Sequence, residues 1–300
     1  MPLNFLQVIV LSILQGVTEL FPVSSLGHAV VLPGVLEWPL DPKGEGLLPF
    51  LVILHLGTAL ALLAFYWREW VKLLLALVGA GDAAERPAHR RLILMLIVGT
   101  VPAAAIGAVL NKPLREMFAV PTIAAGFLFI NGLILFFGDR RRRLKSTGLG
   151  GELGKDIEGL TVWDALIIGT MQATALIPGI SRSGITIITG LGRKLSADAA
   201  AHFSFLLATP IIFGAAVFEI PKLLARIHSG KVDSEYLTTS VVGGVVAGIF
   251  AYLSVAFLTR YFRMNEVKVM RPFALYCIVV GLGSALYLAV FRAMIFGAQG

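Results

Sequence analysis

Residues 15–28 read QGVTELFPVSSLGH and residues 178–184 read PGISRSG. Each run sits in the middle of an apolar stretch, 3–36 and 161–192, and places proline, serine and charge where a helix in lipid should carry aliphatic side chains. A stretch interrupted in this way reads as a helical hairpin that enters the bilayer and turns back. Irregular backbone at membrane depth persists only when buried in protein or lining a wet cavity, because lipid offers its N–H and C=O groups no partner. The two interruptions are therefore where function is expected.

Outward from them lie six further stretches, 47–67, 92–110, 119–137, 200–219, 237–259 and 273–296. Each has about twenty apolar residues, enough to cross the hydrocarbon core. The composition agrees, with 57% hydrophobic and 14% charged residues and a mean hydropathy of +0.85 over 300 residues. A soluble domain is roughly a quarter charged, so an ordinary soluble globule is excluded. The net charge of +7 is spread between apolar runs and forms no continuous face for nucleic acid. Cys277 is the single cysteine, which rules out an intrachain disulfide or a cysteine zinc cluster. No Lys or Arg precedes the first apolar stretch, so the N-terminus reads as mature sequence rather than a secretory signal.

The expected fold is an all-α polytopic membrane protein with six transmembrane helices plus two re-entrant helical hairpins. With that layout Arg68, Lys72, Arg86, Arg90, Arg91, Arg140 to Arg143, Lys145, Lys155, Arg193, Lys194, Arg260, Arg263, Lys268 and Arg271 fall on one side. Lys43, Lys112, Arg115, Lys222, Arg226, Lys231 and Arg292 fall on the other. The richer side is cytoplasmic by the positive-inside rule, which leaves both termini outside. The halves also echo each other: setting Pro22 over Pro178, an offset of 156 residues, matches Thr18 with Thr174, Leu20 with Leu176 and Ser25 with Ser181, and a separate offset of 149 sets Gly132 over Gly281 in the last span of each half. Three spans per half force the second half in from the opposite face. The expectation is an inverted-topology repeat, 1–139 and 161–300, joined by a basic cytoplasmic linker 140–160, with the broken tips meeting near the midplane.

The tips carry the chemistry. Gln15 and Glu19 share a helix face, as do Ser25 and His28 beyond Pro22. Ser24 or Ser25 suits a helix cap, which would aim unpaired N–H groups and a positive dipole end at an anion. Arg182 is costly in a bilayer unless it meets a wet interior, and its planar fork grips two phosphate oxygens at once. Gly179 and Gly184 permit close backbone approach, and Ser181 and Ser183 add hydroxyl donors. Plainer readings stand beside these: a Glu19–Arg182 pair that only joins the halves, serines that only cap, and a His28 that is only structural. His55 and Asn131 read as interhelical hydrogen-bonding residues, and His202 and Glu219 as interfacial ones. At Thr209-Pro210 a bent helix is expected, the threonine hydroxyl helping to satisfy the freed backbone.

On these residues the sequence resembles the undecaprenyl-diphosphate phosphatase family linked to bacitracin resistance. QGVTELFPVSSLGH is similar to that family's first signature and PGISRSG to its second. The resemblance implies a multi-pass enzyme of the bacterial cytoplasmic (inner) membrane that hydrolyses undecaprenyl diphosphate and recycles the cell-wall carrier lipid. Its implied partners are that substrate and membrane lipid, with a homodimer as a further candidate. By position, Ser25 corresponds to the nucleophile, Glu19 to the motif glutamate, His28 to the motif histidine and Arg182 to the phosphate-binding arginine. Gln15, Ser24, Gly179, Ser181 and Ser183 line the implied substrate site. Position 15 is Gln where many members have Glu, so a divalent ion, Mg²⁺ or Ca²⁺, is expected to be held mainly by substrate phosphates and Glu19. The expected reaction has Ser25 attack the terminal phosphorus while Glu19 or His28 takes its proton. Two rivals remain: a carrier of lipid phosphate or a small anion with the same architecture, and an intramembrane serine protease using Ser25 and His28.

Overall fold

The computed structural model describes residues 3–38, 47–117, 120–146, 154–229, 234–265 and 268–291. Lys43, Lys231, Arg292 and the 147–153 part of the linker lie outside the described residues. Helices account for most of the described residues, and no strand occurs among them. In order they are α1 (Phe5–Thr18), α2 (Ser25–Val35), α3 (Leu47–Phe65), α4 (Trp67–Leu77), α5 (Arg86–Met117) and α6 (Pro121–Ser146). They continue with α7 (Val162–Gln172), α8 (Arg182–Gly192), α9 (Ala197–His228), α10 (Ser234–Met264) and α11 (Arg271–Leu286). Short 3-10 turns follow α7 and precede it, and a π turn over Tyr287–Phe291 ends the described chain.

Five helices, within α5, α6, α9, α10 and α11, are long and apolar enough to cross a membrane. The count becomes six if α3 and α4 form one span, but they meet at Tyr66 with a bend of 78°. The expected span over 47–67 coincides with α3, which is long and apolar enough to cross a membrane only when taken together with α4, an amphipathic helix that leaves its axis. α1, α2 and α7 are shorter apolar helices. Large apolar side chains face outward along the long helices, among them Leu94, Ile97 and Val101 on α5, Val245, Ile249 and Leu253 on α10, and Val279 and Leu282 on α11. A continuous exposed belt of this kind suits a hydrocarbon solvent.

Without a hydrophobic drive between helices in lipid, association depends on close packing, and small residues permit it. α3 crosses α10 at Gly57 and Gly244, where a Cβ on Gly57 would collide with the Gly244 carbonyl. α7 crosses α5 at Gly169 and Gly99 in the same manner. α6 and α11 are joined reciprocally: Gly132 lies against Ala274 and Ile278, and Gly281 lies against Phe129. α1 packs on α10 and α7 on α5, so each short leg leans on a long helix of the opposite half.

α9 runs unbroken through Pro210. Thr209 Oγ1 is buried with no hydrogen-bond partner, so the hydroxyl does not do the backbone repair expected of it. At the open end of α7, Asp164 accepts from Lys155 Nζ at 2.5 Å and from Arg193 Nε at 2.7 Å, while Arg91 donates to the carbonyls of Glu158 and Leu160. These bonds tie the α7–α8 pair to the chain before it.

Candidate active site

The two interruptions face each other. α1 stops at Thr18, and a turn over 19–24 reverses the chain into α2; α7 passes through its 3-10 turn and a bend into α8. Ser24 caps α2, its hydroxyl accepting from Gly27 N at 3.2 Å, and Ser181 caps α8 in the same way from Gly184 N at 3.1 Å. At the tips the correspondence therefore pairs Ser24 with Ser181, not Ser25 with Ser181. The first residues of the two 11-residue helices are then Ser25 and Arg182. Ser24 sits at φ 70°, a left-handed conformation that costs a serine about 1–3 kcal/mol and survives only when its surroundings enforce it.

Close approach of the two breaks needs glycine on both sides. A Cβ on Gly27 would lie 2.8 Å from Gly179 Cα, and one on Gly179 would lie 2.7 Å from Leu128 N of α6. Gly179 also adopts φ 104°, which disfavours any side chain. Its place is thus at the seam between α2, α6 and the second break. The Ser183 hydroxyl donates to Phe21 O at 3.0 Å and that of Ser181 lies 3.5 Å from the same carbonyl, so these serines stitch one break to the other.

Glu19 is the hub. Its Oε1 accepts from Arg182 Nη2 at 2.9 Å. Its Oε2 accepts from the Ser25 hydroxyl at 2.5 Å and from Gln15 Nε2 at 3.2 Å. His55 Nε2 of α3 lies 3.3 Å from the same oxygen, an ion pair when the imidazole is protonated, while His55 Nδ1 donates to Leu51 O. Arg182 also donates through Nη1 to Ser204 O of α9. A serine hydroxyl from one break and a guanidinium from the other thus share one buried carboxylate. A lone carboxylate buried in an apolar protein is expensive, and this set of donors offsets that cost.

His28 is placed differently. Its Nδ1 donates to Ser24 O at 2.7 Å, which leaves Nε2 to accept from Tyr276 OH of α11 at 2.8 Å, with the two rings stacked. It bonds the backbone beside Ser25 and not the Ser25 hydroxyl. His55, Tyr276, Ser204 and Asn131 complete the surroundings; the sequence reading of His55 and Asn131 as interhelical hydrogen-bonding residues agrees with their contacts but did not connect either with the site. The signal available for His55 was a lone polar residue in an aliphatic run, which periodicity cannot tie to Glu19.

Among the described residues no group of three or more His, Cys, Asp or Glu side chains converges on a metal position. Oxygen donors at the site are Glu19, already paired with Arg182, and Gln15 Oε1, which is buried with no hydrogen-bond partner. That orphaned oxygen suits a hard cation as one neutral ligand. Gln15 turns its amide nitrogen to Glu19, so the two side chains form no ready-made cage, and an ion here would take most of its oxygens from elsewhere.

Comparison with known proteins agrees with the geometry. Residues 8–283 match the family described as bacitracin resistance protein BacA. An undecaprenyl-diphosphatase of Acidiphilium cryptum is 49% identical over 91% of this chain and 94% of its own length. One of Granulibacter bethesdensis is 48% identical over 95% of this chain and 97% of its own. The protein named undecaprenyl-diphosphatase 2 of Oenococcus oeni is 39% identical over 94% of this chain and 97% of its own. With a carboxylate, a serine and an arginine brought together by two opposed breaks, and with a match over nearly its whole length, the chain belongs to the bacitracin resistance protein BacA family.

Proposed function

We propose that the protein is an integral membrane phosphatase that hydrolyses undecaprenyl diphosphate to undecaprenyl phosphate and inorganic phosphate, recycling the cell-wall carrier lipid and so conferring resistance to bacitracin. The observation that carries this reading is the shared carboxylate: Ser25 and Arg182 bond opposite oxygens of Glu19. Cleaving a phosphoanhydride asks the protein chiefly for an aligned nucleophile and stabilisation of charge. The Ser25 Oγ attacks the terminal phosphorus as its proton passes to Glu19 Oε2, and the anhydride oxygen leaves with the prenyl phosphate. Glu19 loses the first proton to solvent as the prenyl phosphate departs; it then takes a proton from the water that attacks the phosphoseryl phosphorus and returns it to the Ser25 Oγ as that P–O bond breaks, which frees inorganic phosphate and restores the serine.

Ser25 is preferred over Ser24 because the Ser24 hydroxyl is committed to the helix cap. Glu19 is preferred over His28 because it holds the Ser25 hydrogen bond; His28 pins the carbonyl of the strained Ser24 and so orients its neighbour. Arg182 engages Nη1 and Nη2 with Ser204 and Glu19 and has further N–H donors for phosphate oxygens. The N-termini of α2 and α8 converge on the same place and favour an anion there. Mg²⁺ or Ca²⁺ would be held by the diphosphate with Gln15 Oε1 and Glu19, and would supply neutralisation of phosphate charge.

The topology that accompanies this reading is an inverted repeat of 1–139 and 161–300 around the 140–160 linker, with six spans, two re-entrant hairpins and both termini on the outer side of the inner membrane. Supporting it are the matching caps at Ser24 and Ser181, the reciprocal Gly132 and Gly281 contacts, and the crossed packing of α1 on α10 and α7 on α5. A lipid-phosphate carrier of the same architecture is not favoured, since the relatives are named for hydrolysis. The test is phosphate release from undecaprenyl diphosphate by purified protein in detergent. Release that Arg182→Ala abolishes supports the enzyme; transport by liposomes without hydrolysis overturns it.

A further inference from the structure

Asn131 lies mid-way along α6 with its side chain fully buried. Its Nδ2 donates to Pro22 O at 3.2 Å, and its Oδ1 accepts from Ser181 N at 3.0 Å. Pro22 precedes Ser25 by three residues, and Ser181 immediately precedes Arg182. One amide therefore bonds the backbone of both breaks, each time just ahead of a residue that meets Glu19. Both bonded backbone groups belong to non-helical chain, where no neighbour in a helix ladder would replace a lost partner. Asn131 Nδ2 also lies 3.4 Å from Cys277 Sγ of α11, and the next residue, Gly132, lets α6 press onto Ala274 and Ile278. The amide is thus fixed beside the close crossing of α6 and α11. No titration or charge of its own is involved.

We propose that Asn131 is a positioning residue of the active site, a bridge whose two hydrogen bonds set the distance between the Ser25 hydroxyl and the Arg182 guanidinium. This rests on the roles given above to Ser25 and Arg182. An amide is suited to the task because it offers a donor and an acceptor in one rigid plane, one for a carbonyl and one for an N–H. Leucine has almost the same size and neither group. A protonated carboxylic acid has both, and an ionised one keeps only acceptors.

The test compares Asn131→Leu and Asn131→Asp with the unsubstituted protein, using undecaprenyl diphosphate in detergent and a thermal melt of every sample. Ser25→Ala is run alongside, so that full activity in that variant would count against the assigned nucleophile and not against the bridge. Misplacing reacting groups by about 1 Å costs about a hundredfold, so Asn131→Leu should lose about that factor in kcat while KM changes by less than about threefold. Asn131→Asp should approach the unsubstituted rate at acid pH and fall away from it as pH rises and its carboxyl ionises, at a melting temperature that does not account for the loss. Folded Asn131→Leu with kcat within about twofold of normal would overturn the proposal. Should Asn131→Leu not fold, Asn131→Asp decides alone: a ratio to the unsubstituted rate that stays constant with pH would equally overturn it.

Discussion

The reacting serine and its neighbour make the sharpest contrast at the scale of single residues. Ser24 spends its hydroxyl on the α2 cap, and Ser25 offers its own to Glu19. Ser24→Ala should therefore cost about 1 kcal/mol of stability, the usual worth of a serine cap, with a smaller loss of turnover than Ser25→Ala; thermal melts and phosphate release measure the two separately. Arg182→Lys keeps the charge but cannot reach Glu19 and Ser204 together with a planar fork, so most activity should be lost, read as kcat/KM for undecaprenyl diphosphate. The sequence made Glu19, Ser25 and Arg182 legible because charge and hydroxyl in an apolar run are costly unless used. It could not tell Glu19 from His28 as the proton acceptor. Ser25 and His28 share a helix face and Glu19 lies across the break, and only the turn over 19–24 decides that Ser25 bonds Glu19 while His28 reaches Ser24 O and Tyr276.

The helices set how near the two breaks can come. Gly27 and Gly179 touch at the seam, and Gly179 is further held at φ 104° against α6. Gly179→Ala should destabilise the protein by about 1–3 kcal/mol through overpacking, seen as a lower melting temperature in detergent, and should reduce turnover by pushing Arg182 away from Ser25. Apolar length alone announced the long helices α5, α6, α9, α10 and α11, and the prolines and serines announced the breaks. The steep bend at Tyr66 was not legible: Trp67–Leu77 continues the run with mixed apolar and charged residues, and its departure from α3 depends on packing against α5. The pairing of Ser24 with Ser181 was also hidden, since aligning prolines sets the register one residue away from the register of the caps.

Across the whole molecule, crossed packing of short legs on the long helices of the opposite half brings a carboxylate and a serine from the first break to an arginine from the second. An inverted arrangement places the open ends of the α1–α2 and α7–α8 pairs on opposite faces of the membrane. With Cys277→Ser as background, a membrane-impermeant thiol reagent should then label Leu36→Cys from the outside of intact cells and Glu158→Cys only after permeabilisation. Labelling of both from one face would contradict the topology. The positive-inside count is the basis in the sequence for expecting this sidedness, whereas the convergence of the tips depends on contacts such as Gly57 with Gly244 and Gly132 with Ile278 that no pattern of hydropathy reveals. The central claim is that Ser25, activated by Glu19 and matched by Arg182, is the group that attacks the diphosphate. Its most direct test is the rate of phosphate release from undecaprenyl diphosphate by folded Ser25→Ala protein: removing a nucleophile that forms a covalent intermediate should cost a factor of about a thousand or more, and a rate within about tenfold of the unsubstituted protein would contradict the account.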